Sequence, residues 1–200
     1  GNLSVILQFN PRRMRSAGAD IDPAAIKKRP CFLCRANLPD LQQAILYRQT
    51  YLVLCNPFPI FPRHFTIAHF DHVPQALSGA LPCLLKLAKD FHPELALLYN
   101  GPQCGASAPD HLHFQAVPRA AIPALQDGSM AGKKILKRAA GGVAIFQTLN
   151  SEPPAIIVEG TDEQALVAFI KRMIKAMKGL LSPAGEPMLN LFCLYAGGVW

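Results

Sequence analysis

The sequence predicts an α+β protein in which helices flank an antiparallel sheet. Short runs rich in Leu, Ile, Val and Tyr lie between turn residues, as strands do. Two longer segments, 82–91 and 161–179, repeat apolar residues at helical spacing, so helices are few. Hydrophobic residues make up 50% of the 200 residues and charged residues 16%, which is typical of a chain with a sizeable core.

The first part of the chain predicts six strands and one helix. An apolar, alternating first strand precedes a basic loop with Arg12, Arg13 and Arg15. Residues 56–62 hold three prolines, which exclude a helix and predict an extended loop. Pro82 suits the first turn of a helix, which would run to about residue 91. The predicted strands are residues 3–9, 44–47, 51–55, 64–69, 95–99 and 111–117.

The second part of the chain begins after a predicted linker at residues 126–134, which contains two glycines and a serine. The residues Thr-Asp-Glu-Gln at 161–164 spell a capping box that predicts a helix start, and Gly179 predicts its end. Residues 196–198 predict a hairpin turn whose return strand is missing, so we expect either a truncated chain or a partner strand from another chain. The predicted strands are residues 143–149, 155–158 and 189–195.

The pattern His111-x-His113-x-Gln115 is the most informative feature of the chain. Alternate residues of a strand point to one face, so these polar side chains would line one surface while the residues between them face the core. The loop before them carries Gly105 and Ser107, and glycines let main-chain N–H groups form a nest for an anion. The combination favours phosphate-group transfer through a histidine. A lone H-x-H is more often a metal site, a surface pair or a packed core pair.

The charge and the lack of membrane signals narrow the function classes. The formal net charge of +7 suits a phosphate-rich ligand, a nucleic acid or an acidic membrane, and charge alone does not choose among them. The sequence has no run of 18 apolar residues and no signal-peptide pattern. We therefore expect a cytoplasmic protein without a membrane partner. The basic residues of 171–178 lie mostly opposite the apolar helix face, which indicates a solvated surface rather than a nucleic-acid interface.

The six cysteines fall into two groups. Three disulfides in a secreted protein are the weaker interpretation, because no secretion signal is visible. Cys55, Cys83 and Cys193 lie in apolar runs and predict buried thiols. Cys31 and Cys34 form a C-x-x-C pair, which needs two further ligands to close a tetrahedral zinc site. The alternative for this pair is two reduced thiols without a metal.

Three blocks of sequence together resemble the transferase branch of the histidine-triad (HIT) superfamily. They are C-F-L-C at 31–34, N-P-F-P-I-F-P-R-H-F-T-I at 56–67 with D-H-V-P-Q at 71–75, and Y-N-G through H-L-H-F-Q at 99–115. The branch includes galactose-1-phosphate uridylyltransferase, diadenosine tetraphosphate phosphorylase and GDP-hexose phosphorylase. The sequence H-L-H-F-Q is similar to that of GDP-hexose phosphorylases in particular. The resemblance implies a HIT-like antiparallel sheet with flanking helices, plus a partial second HIT-like half.

The resemblance implies nucleotidyl transfer or phosphorolysis, since hydrolases of the superfamily carry a histidine where this chain has Gln115. His113 would attack the α-phosphorus of a nucleoside diphosphate sugar or a dinucleoside polyphosphate and form a nucleotidyl-histidine. Phosphate or a sugar 1-phosphate would then accept the nucleotide. Guanine is favoured as the base, and uracil and adenine stay open.

The resemblance further implies a nucleotide site around this strand. Gln115 and the glycine-rich loop would hold phosphate oxygens, while the proline-rich loop would border the nucleoside. The residues implied for nucleotide and phosphate binding are Asn56, Phe58, His64, Asn100, Gly105 and Ser107.

Zinc-bearing members of the superfamily imply a structural zinc site in this chain. The C-x-x-C pair would be joined by a histidine after the central strand and by the first histidine of the H-x-H. His64 and His69 are alternatives to His72 as the third ligand. Some relatives lack the metal. The implied ligands are Cys31, Cys34, His72 and His111.

The implied domain organisation has two units. Residues 1–125 would form the HIT-like nucleotidyltransferase domain with the C-x-x-C knuckle, and residues 126–200 a partial second half cut within a hairpin. Family members are often dimers, so a homodimer is expected by analogy. Two alternative functions stay open: a zinc-stabilised nucleotide-binding module without catalysis, and a nucleotide hydrolase.

Overall fold

Nine strands and three α-helices make up the described chain. The computed structural model describes residues 9, 11, 21–122, 125, 132–149, 154–177 and 185–200. The helices are α1 (Pro23–Lys28), α2 (Leu77–Asp90) and α3 (Glu163–Ala176). The strands are β1 (Ala44–Tyr47), β2 (Tyr51–Cys55), β3 (Phe65–His69), β4 (Leu95–Asn100), β5 (His113–Pro118), β6 (Lys133–Arg138), β7 (Ala144–Thr148), β8 (Ile156–Glu159) and β9 (Asn190–Cys193).

The strands form two antiparallel sheets. The larger sheet has the order β1-β2-β3-β5-β4-β9, and the smaller has the order β6-β7-β8. At the centre of the larger sheet, β3 pairs with β5 so that Thr66 lies opposite Gln115 and Ala68 lies opposite His113. The α+β class with an antiparallel sheet, predicted from the sequence, is therefore confirmed.

The two faces of the larger sheet have different coverings. On one face, α2 and α3 pack over a core in which Ile67, Leu97 and Phe114 are fully buried. On the other face, Cys31 of the C-x-x-C segment packs with Ala68 and neighbouring leucines. Strand β5 thus turns alternate side chains toward the helices and toward the opposite face, as its sequence pattern predicts.

Helix α2 begins five residues before the predicted start at Pro82. Proline lacks the N–H that would bond the carbonyl of Ser78, and yet Pro82 lies inside the helix. The helix extends to Leu77 because the side chains of Leu77 and Leu81 are fully buried, and because Glu186 accepts the N–H of Leu77. The predicted inward face is confirmed, since all of its members are buried: Leu84, Leu85, Leu87 and Ala88.

Helix α3 is capped one residue later than its sequence suggests. The N-cap is Asp162 rather than Thr161, and Asp162 Oδ1 accepts the N–H of Ala165 at 2.6 Å. A carboxylate at this position both satisfies a free N–H and interacts favourably with the helix dipole. The predicted end at Gly179 lies outside the described residues.

Strand β6 corrects the predicted linker, because Lys133 and Lys134 belong to a strand. Its sequence Lys-Lys-Ile-Leu-Lys-Arg is exposed throughout and highly charged, as edge strands often are. Residues 3–8, the three arginines of the basic loop and the residues at 126–131 of the linker lie outside the described residues. Among the residues that are described, no helix combines the length and the apolar composition needed to cross a membrane.

The C-terminal segment returns to the larger sheet, where β9 pairs with β4 and places Asn190 opposite Asn100. The predicted turn is present: Gly197 and Gly198 have φ of +56° and +85°, which suit glycine, and Ala196 bridges Val199. Trp200 then exchanges main-chain hydrogen bonds with Gly160. The predicted domain boundary between residues 125 and 126 stays a prediction. Strand β9, which follows this boundary in the sequence, belongs to the larger sheet.

Glu186 ties the C-terminal segment to both α2 and β4. The side chain is 6% exposed. Its Oε2 accepts the N–H of Leu77 at 2.7 Å, and its Oε1 accepts the hydroxyl of Tyr99 at 2.5 Å. These bonds satisfy a free N–H at the start of a helix and a buried hydroxyl at once.

We expect Glu186→Ala to lower the free energy of unfolding by about 2 to 3 kcal/mol, because two buried donors lose their acceptor. The measurement is urea denaturation followed by circular dichroism. Glu94→Ala is the matched control, since its side chain is 71% exposed and we expect a change within about 0.5 kcal/mol. Equal midpoints for the two variants would contradict a stabilising role for Glu186.

Candidate active site and metal centre

The residues of the H-x-H-x-Q pattern lie on the face of the larger sheet that α2 and α3 leave free. Phe114, between His113 and Gln115, is fully buried in the core on the helix side. His113 is 4% exposed and Gln115 is half-buried, while His111 comes just before β5 and is fully buried. One face therefore presents two histidines and an amide in a row.

His113 is held in one tautomer by the main chain of its own motif. Its Nδ1 lies 2.8 Å from the carbonyl oxygen of His111, and a carbonyl only accepts, so Nδ1 carries the proton. The other ring nitrogen, Nε2, makes no hydrogen bond within the described part of the chain. Burial lowers the pKa of His113, although the bond to the His111 carbonyl works in the opposite direction. His113 is thus a neutral imidazole with a free nitrogen lone pair on Nε2.

Gln115 is oriented by His64. The N–H of Ile60 donates to His64 Nδ1 at 3.1 Å, so the proton of this ring is on Nε2. His64 Nε2 lies 2.7 Å from Gln115 Oε1 and donates to it. The amide NH₂ of Gln115 donates to no described residue, so it can donate to an acceptor such as a phosphate oxygen.

Asn56 and Phe58 lie in the proline-rich loop on the same side. Asn56 Nδ2 donates to the hydroxyl of Thr66 at 3.0 Å, and Thr66 is the cross-strand neighbour of Gln115. Asn56 Oδ1 accepts the N–H of Phe58 at 2.9 Å, which makes a local turn of the kind that Asn favours. The N–H of Asn56 also donates to the carbonyl of His64 at 2.9 Å, so Asn56 contacts His64, which in turn contacts Gln115.

The loop from β4 to His111 holds the remaining predicted phosphate-binding residues. Asn100 ends β4, Gly105 adopts φ of +92°, and Ser107 is half-buried. Within the described residues, no hydrogen bond joins Gly105 or Ser107 directly to His113. The structure therefore places these residues on the expected loop without a direct contact to the histidine.

The four residues predicted as metal ligands form one cluster, and their ligand atoms lie within 4.8 Å of one another. His111 Nδ1 lies 3.3 Å from Cys31 Sγ and 3.6 Å from Cys34 Sγ, and His72 Nδ1 lies 3.2 Å from Cys34 Sγ. Of the two competing histidines, His64 instead bonds Gln115 and His69 bonds the main chain of Asp71.

The distances fit a tetrahedral ion of the size of zinc. With Zn–S near 2.3 Å and Zn–N near 2.05 Å, a tetrahedral centre separates sulfur from nitrogen by about 3.6 Å. The observed separations of 3.2 to 3.6 Å are close to that value. Burial and the neighbouring Cys31 raise the pKa of Cys34 to about 11, and a bound cation would favour the thiolate form of Cys34.

Outer contacts orient the two histidines of the cluster. His111 Nε2 donates to the carbonyl of His69 at 2.8 Å, so Nδ1 is free to face the sulfur atoms. The carboxylate of Asp110 lies 4.0 Å from His72 Nε2 and pairs with Arg29 at 2.8 Å. In metal sites, the ring nitrogen of a ligating histidine that faces away from the metal commonly donates to a carbonyl or a carboxylate.

Sequence reasoning assigned no role to Gln75, although it lies in the D-H-V-P-Q block. The side chain is 4% exposed and bonds the main chain of His113 and of Asn100. A lone Gln after proline carries no motif signal, so only the tertiary contacts reveal it.

The fold and the site define an α+β protein with an H-x-H-x-Q strand beside a cluster of two cysteines and two histidines. A family model described as "Domain of unknown function (DUF4922)" matches residues 1–118. The chain therefore belongs to the DUF4922 family. A search of curated proteins found no match.

Solved structures similar to this chain include two proteins. Yeast Ap4A phosphorylase Apa2 is 19% identical, with a TM-score of 0.41 over 72% of this chain and 53% of that chain. Its complex with Ap4A gives 20% identity and a TM-score of 0.37, with 72% and 54% covered. A DUF4931 family protein from Bacillus cereus ATCC 10987 gives 16% identity and a TM-score of 0.44, with 78% and 82% covered. The chain spans about half the length of the yeast phosphorylase.

Proposed function

We propose that this protein is a nucleotidyltransferase or phosphorylase that works through a covalent nucleotidyl-histidine on His113. The observation that carries the proposal is the bond from His113 Nδ1 to the His111 carbonyl, which leaves Nε2 as an unprotonated nucleophile. The amide of Gln115 lies two residues away on the same face and is already turned by His64. The Gln115 amide donates to phosphoryl oxygens and carries no charge, whereas an ionised carboxylate at this position would only accept and would repel the phosphate.

The proposed reaction has two displacements. The lone pair of His113 Nε2 attacks the α-phosphorus and an N–P bond forms. The P–O bond to the leaving group breaks, which releases a sugar 1-phosphate from a nucleoside diphosphate sugar or a nucleoside polyphosphate from a dinucleoside polyphosphate. The leaving group departs as an anion and needs no proton, while the ring proton stays on His113 Nδ1, hydrogen-bonded to the His111 carbonyl oxygen. An acceptor phosphate oxygen then attacks the phosphorus, breaks the N–P bond and returns the electron pair to Nε2. Gln115 stabilises the charge on the equatorial oxygens in both steps.

The proposed substrate is a nucleoside diphosphate sugar or a dinucleoside polyphosphate, with phosphate or a sugar 1-phosphate as acceptor. Asn56, Phe58 and Asn100 would contact the nucleoside and its ribose, and Gly105 and Ser107 the phosphates. The net charge of +7 supports an anionic substrate. A cytoplasmic location and a homodimer belong to the same proposal.

We further propose that zinc occupies the Cys₂His₂ cluster as a structural ion. All four positions are filled by protein side chains, which is typical of structural rather than catalytic zinc. The ion would fix the segment that carries His111, whose carbonyl orients His113.

The test is the intact mass of the protein after brief incubation with GDP-, UDP- and ADP-sugars and with Ap4A, each without an acceptor. We expect a mass gain of one nucleoside monophosphate, which names the base, and its loss when acceptor is added. Binding of a nucleotide without any adduct would support a non-catalytic module instead. Release of nucleoside monophosphate in plain buffer would indicate a hydrolase.

We expect Gln115→Glu to slow adduct formation by about 10² to 10³-fold, because one oxyanion donor is lost and a negative charge faces the phosphate. Gln147→Glu is the matched control, since Gln147 is an exposed residue of β7 in the other sheet. Rapid-quench measurement of the adduct compares the two variants. A rate for Gln115→Glu within a factor of three of the control would remove Gln115 from the mechanism.

A further inference from the structure

The ladder between β4 and β5 opens next to His113. The two strands pair from Leu95 with Pro118 to Leu98 with Gln115. The same register would bring Asn100 opposite His113, but the pairing of β4 with β5 ends at Leu98 and Gln115. Strand β9 pairs with the other edge of β4, over residues 97–100. The strands therefore separate where the main chain of the proposed nucleophile begins.

The side-chain amide of Gln75 fills this opening. Its Oε1 accepts the N–H of His113 at 2.8 Å, and its Nε2 donates to the carbonyl of His113 at 3.1 Å. The same Nε2 donates to the carbonyl of Asn100 at 2.8 Å. Both amide protons and the oxygen are used, so the amide takes the place of a peptide group between the two strands.

The main chain around Gln75 is attached to the same loop. The N–H of Gln75 donates to the carbonyl of Pro109 at 3.1 Å, and the N–H of Leu112 donates to the carbonyl of Val73 at 2.7 Å. Gln75 is thereby held on both sides of the motif that it contacts. Because the Gln75 side chain is restrained in this way, it can hold the main chain of His113 and Asn100 in place to within a fraction of an ångström.

We propose that Gln75 is a positioning residue for the transfer reaction: it sets the distance between Asn100 and His113 and fixes the His113 main chain. This proposal rests on the proposed function. Gln75 touches only main-chain atoms of these two residues, so its contribution is to the rate of attack rather than to substrate affinity. A displacement of the nucleophile by about 1 Å costs on the order of 100-fold in rate.

The experiment compares Gln75→Met, which keeps the length without the hydrogen bonds, with Gln75→Glu, which keeps the acceptor for the His113 N–H. Single-turnover adduct formation with the substrate found by mass screening gives the rate and the half-saturating concentration. We expect Gln75→Met to lose about 10- to 100-fold in rate with less than a threefold change in half-saturation. Gln75→Glu is expected to be affected too, because a carboxylate would face the carbonyls of Asn100 and His113. Gln43→Met, an exposed control just before β1, should match the parent.

A second readout needs no substrate: long-range ¹H–¹⁵N spectra of the histidine rings report the proton on His113 Nδ1. We expect one tautomer in the parent protein and a mixed or broadened signal in Gln75→Met. If Gln75→Met does not fold, Gln75→Glu supplies both readouts. An unchanged tautomer together with an unchanged adduct rate overturns the proposal. If the parent protein forms no adduct with any substrate, the proposed function fails while the spectra still decide the role of Gln75: an unchanged His113 signal overturns it and an altered one supports it.

Discussion

Replacing His113 with alanine is expected to abolish the nucleotidyl adduct and to lower kcat by at least about 10⁴-fold, or about 5.4 kcal/mol in activation free energy. No other ring nitrogen on this face replaces Nε2: in the part of the chain that the structure describes, His111 Nδ1 faces two sulfur atoms and His64 Nε2 donates to Gln115. The measurements are steady-state turnover and intact mass.

The control for this prediction is His92→Ala, because His92 is an exposed residue beyond the end of α2 whose ring contacts Tyr195. We expect wild-type turnover from it. Circular dichroism and metal content should be the same for both variants, which separates loss of the nucleophile from loss of the fold. Turnover by His113→Ala within tenfold of the parent protein would rule out the covalent mechanism.

Removing a sulfur ligand by Cys31→Ser is expected to weaken zinc binding by more than about 100-fold and to lower thermal stability. At free zinc about 1,000 times above its dissociation constant, a bound ion stabilises the fold by about 4 kcal/mol. For a chain of this size that corresponds to a fall of about 8 to 16 °C in Tm. Plasma emission spectrometry gives the metal stoichiometry, with one ion per chain expected, and calorimetry gives the Tm.

Cys55→Ser is the matched control for the metal prediction. Cys55 was expected to be buried, but it ends β2 with its side chain exposed, and Cys83 is half-buried, so only Cys193 of that group is a buried thiol. The alternation of β2 points Leu54 inward and leaves the last residue outside the covered part of the sheet. Parent protein that purifies without zinc, binds none on addition and keeps its Tm with a chelator would contradict the structural-zinc proposal.

Local sequence patterns predict most of the fold, and each wrong prediction has an identifiable physical cause. Strands β1 and β2 lie at the predicted residues, since β-branched and aliphatic runs between turns specify extended chain. The start of α2 was wrong because burial of Leu77 and its bond to Glu186 outweigh the proline signal. Strand β6 was missed because its lysines and arginine resemble a linker.

The candidate site also has features that the sequence predicts and features that it does not. The H-x-H-x-Q spacing predicted His111, His113 and Gln115 on one face, because the period of a strand is two. The cluster of Cys31, Cys34, His72 and His111 was expected only by family resemblance, and residues 77 positions apart meet through the pairing of β3 with β5. Their roles in metal binding and catalysis stay predictions until the measurements above are made.

What the sequence determined by itself is the chemistry available: the histidine pair, the amide, the thiol pair, and the strands and helices that carry them. What only the tertiary structure decided is how these groups are aligned. The His111 carbonyl selects the tautomer of His113, His64 rather than a metal turns Gln115, and Gln75 stands between β4 and β5. The reason is physical: residue type and period follow from short-range sterics and hydrophobicity, whereas hydrogen bonds between residues tens of positions apart exist only after the sheet has formed.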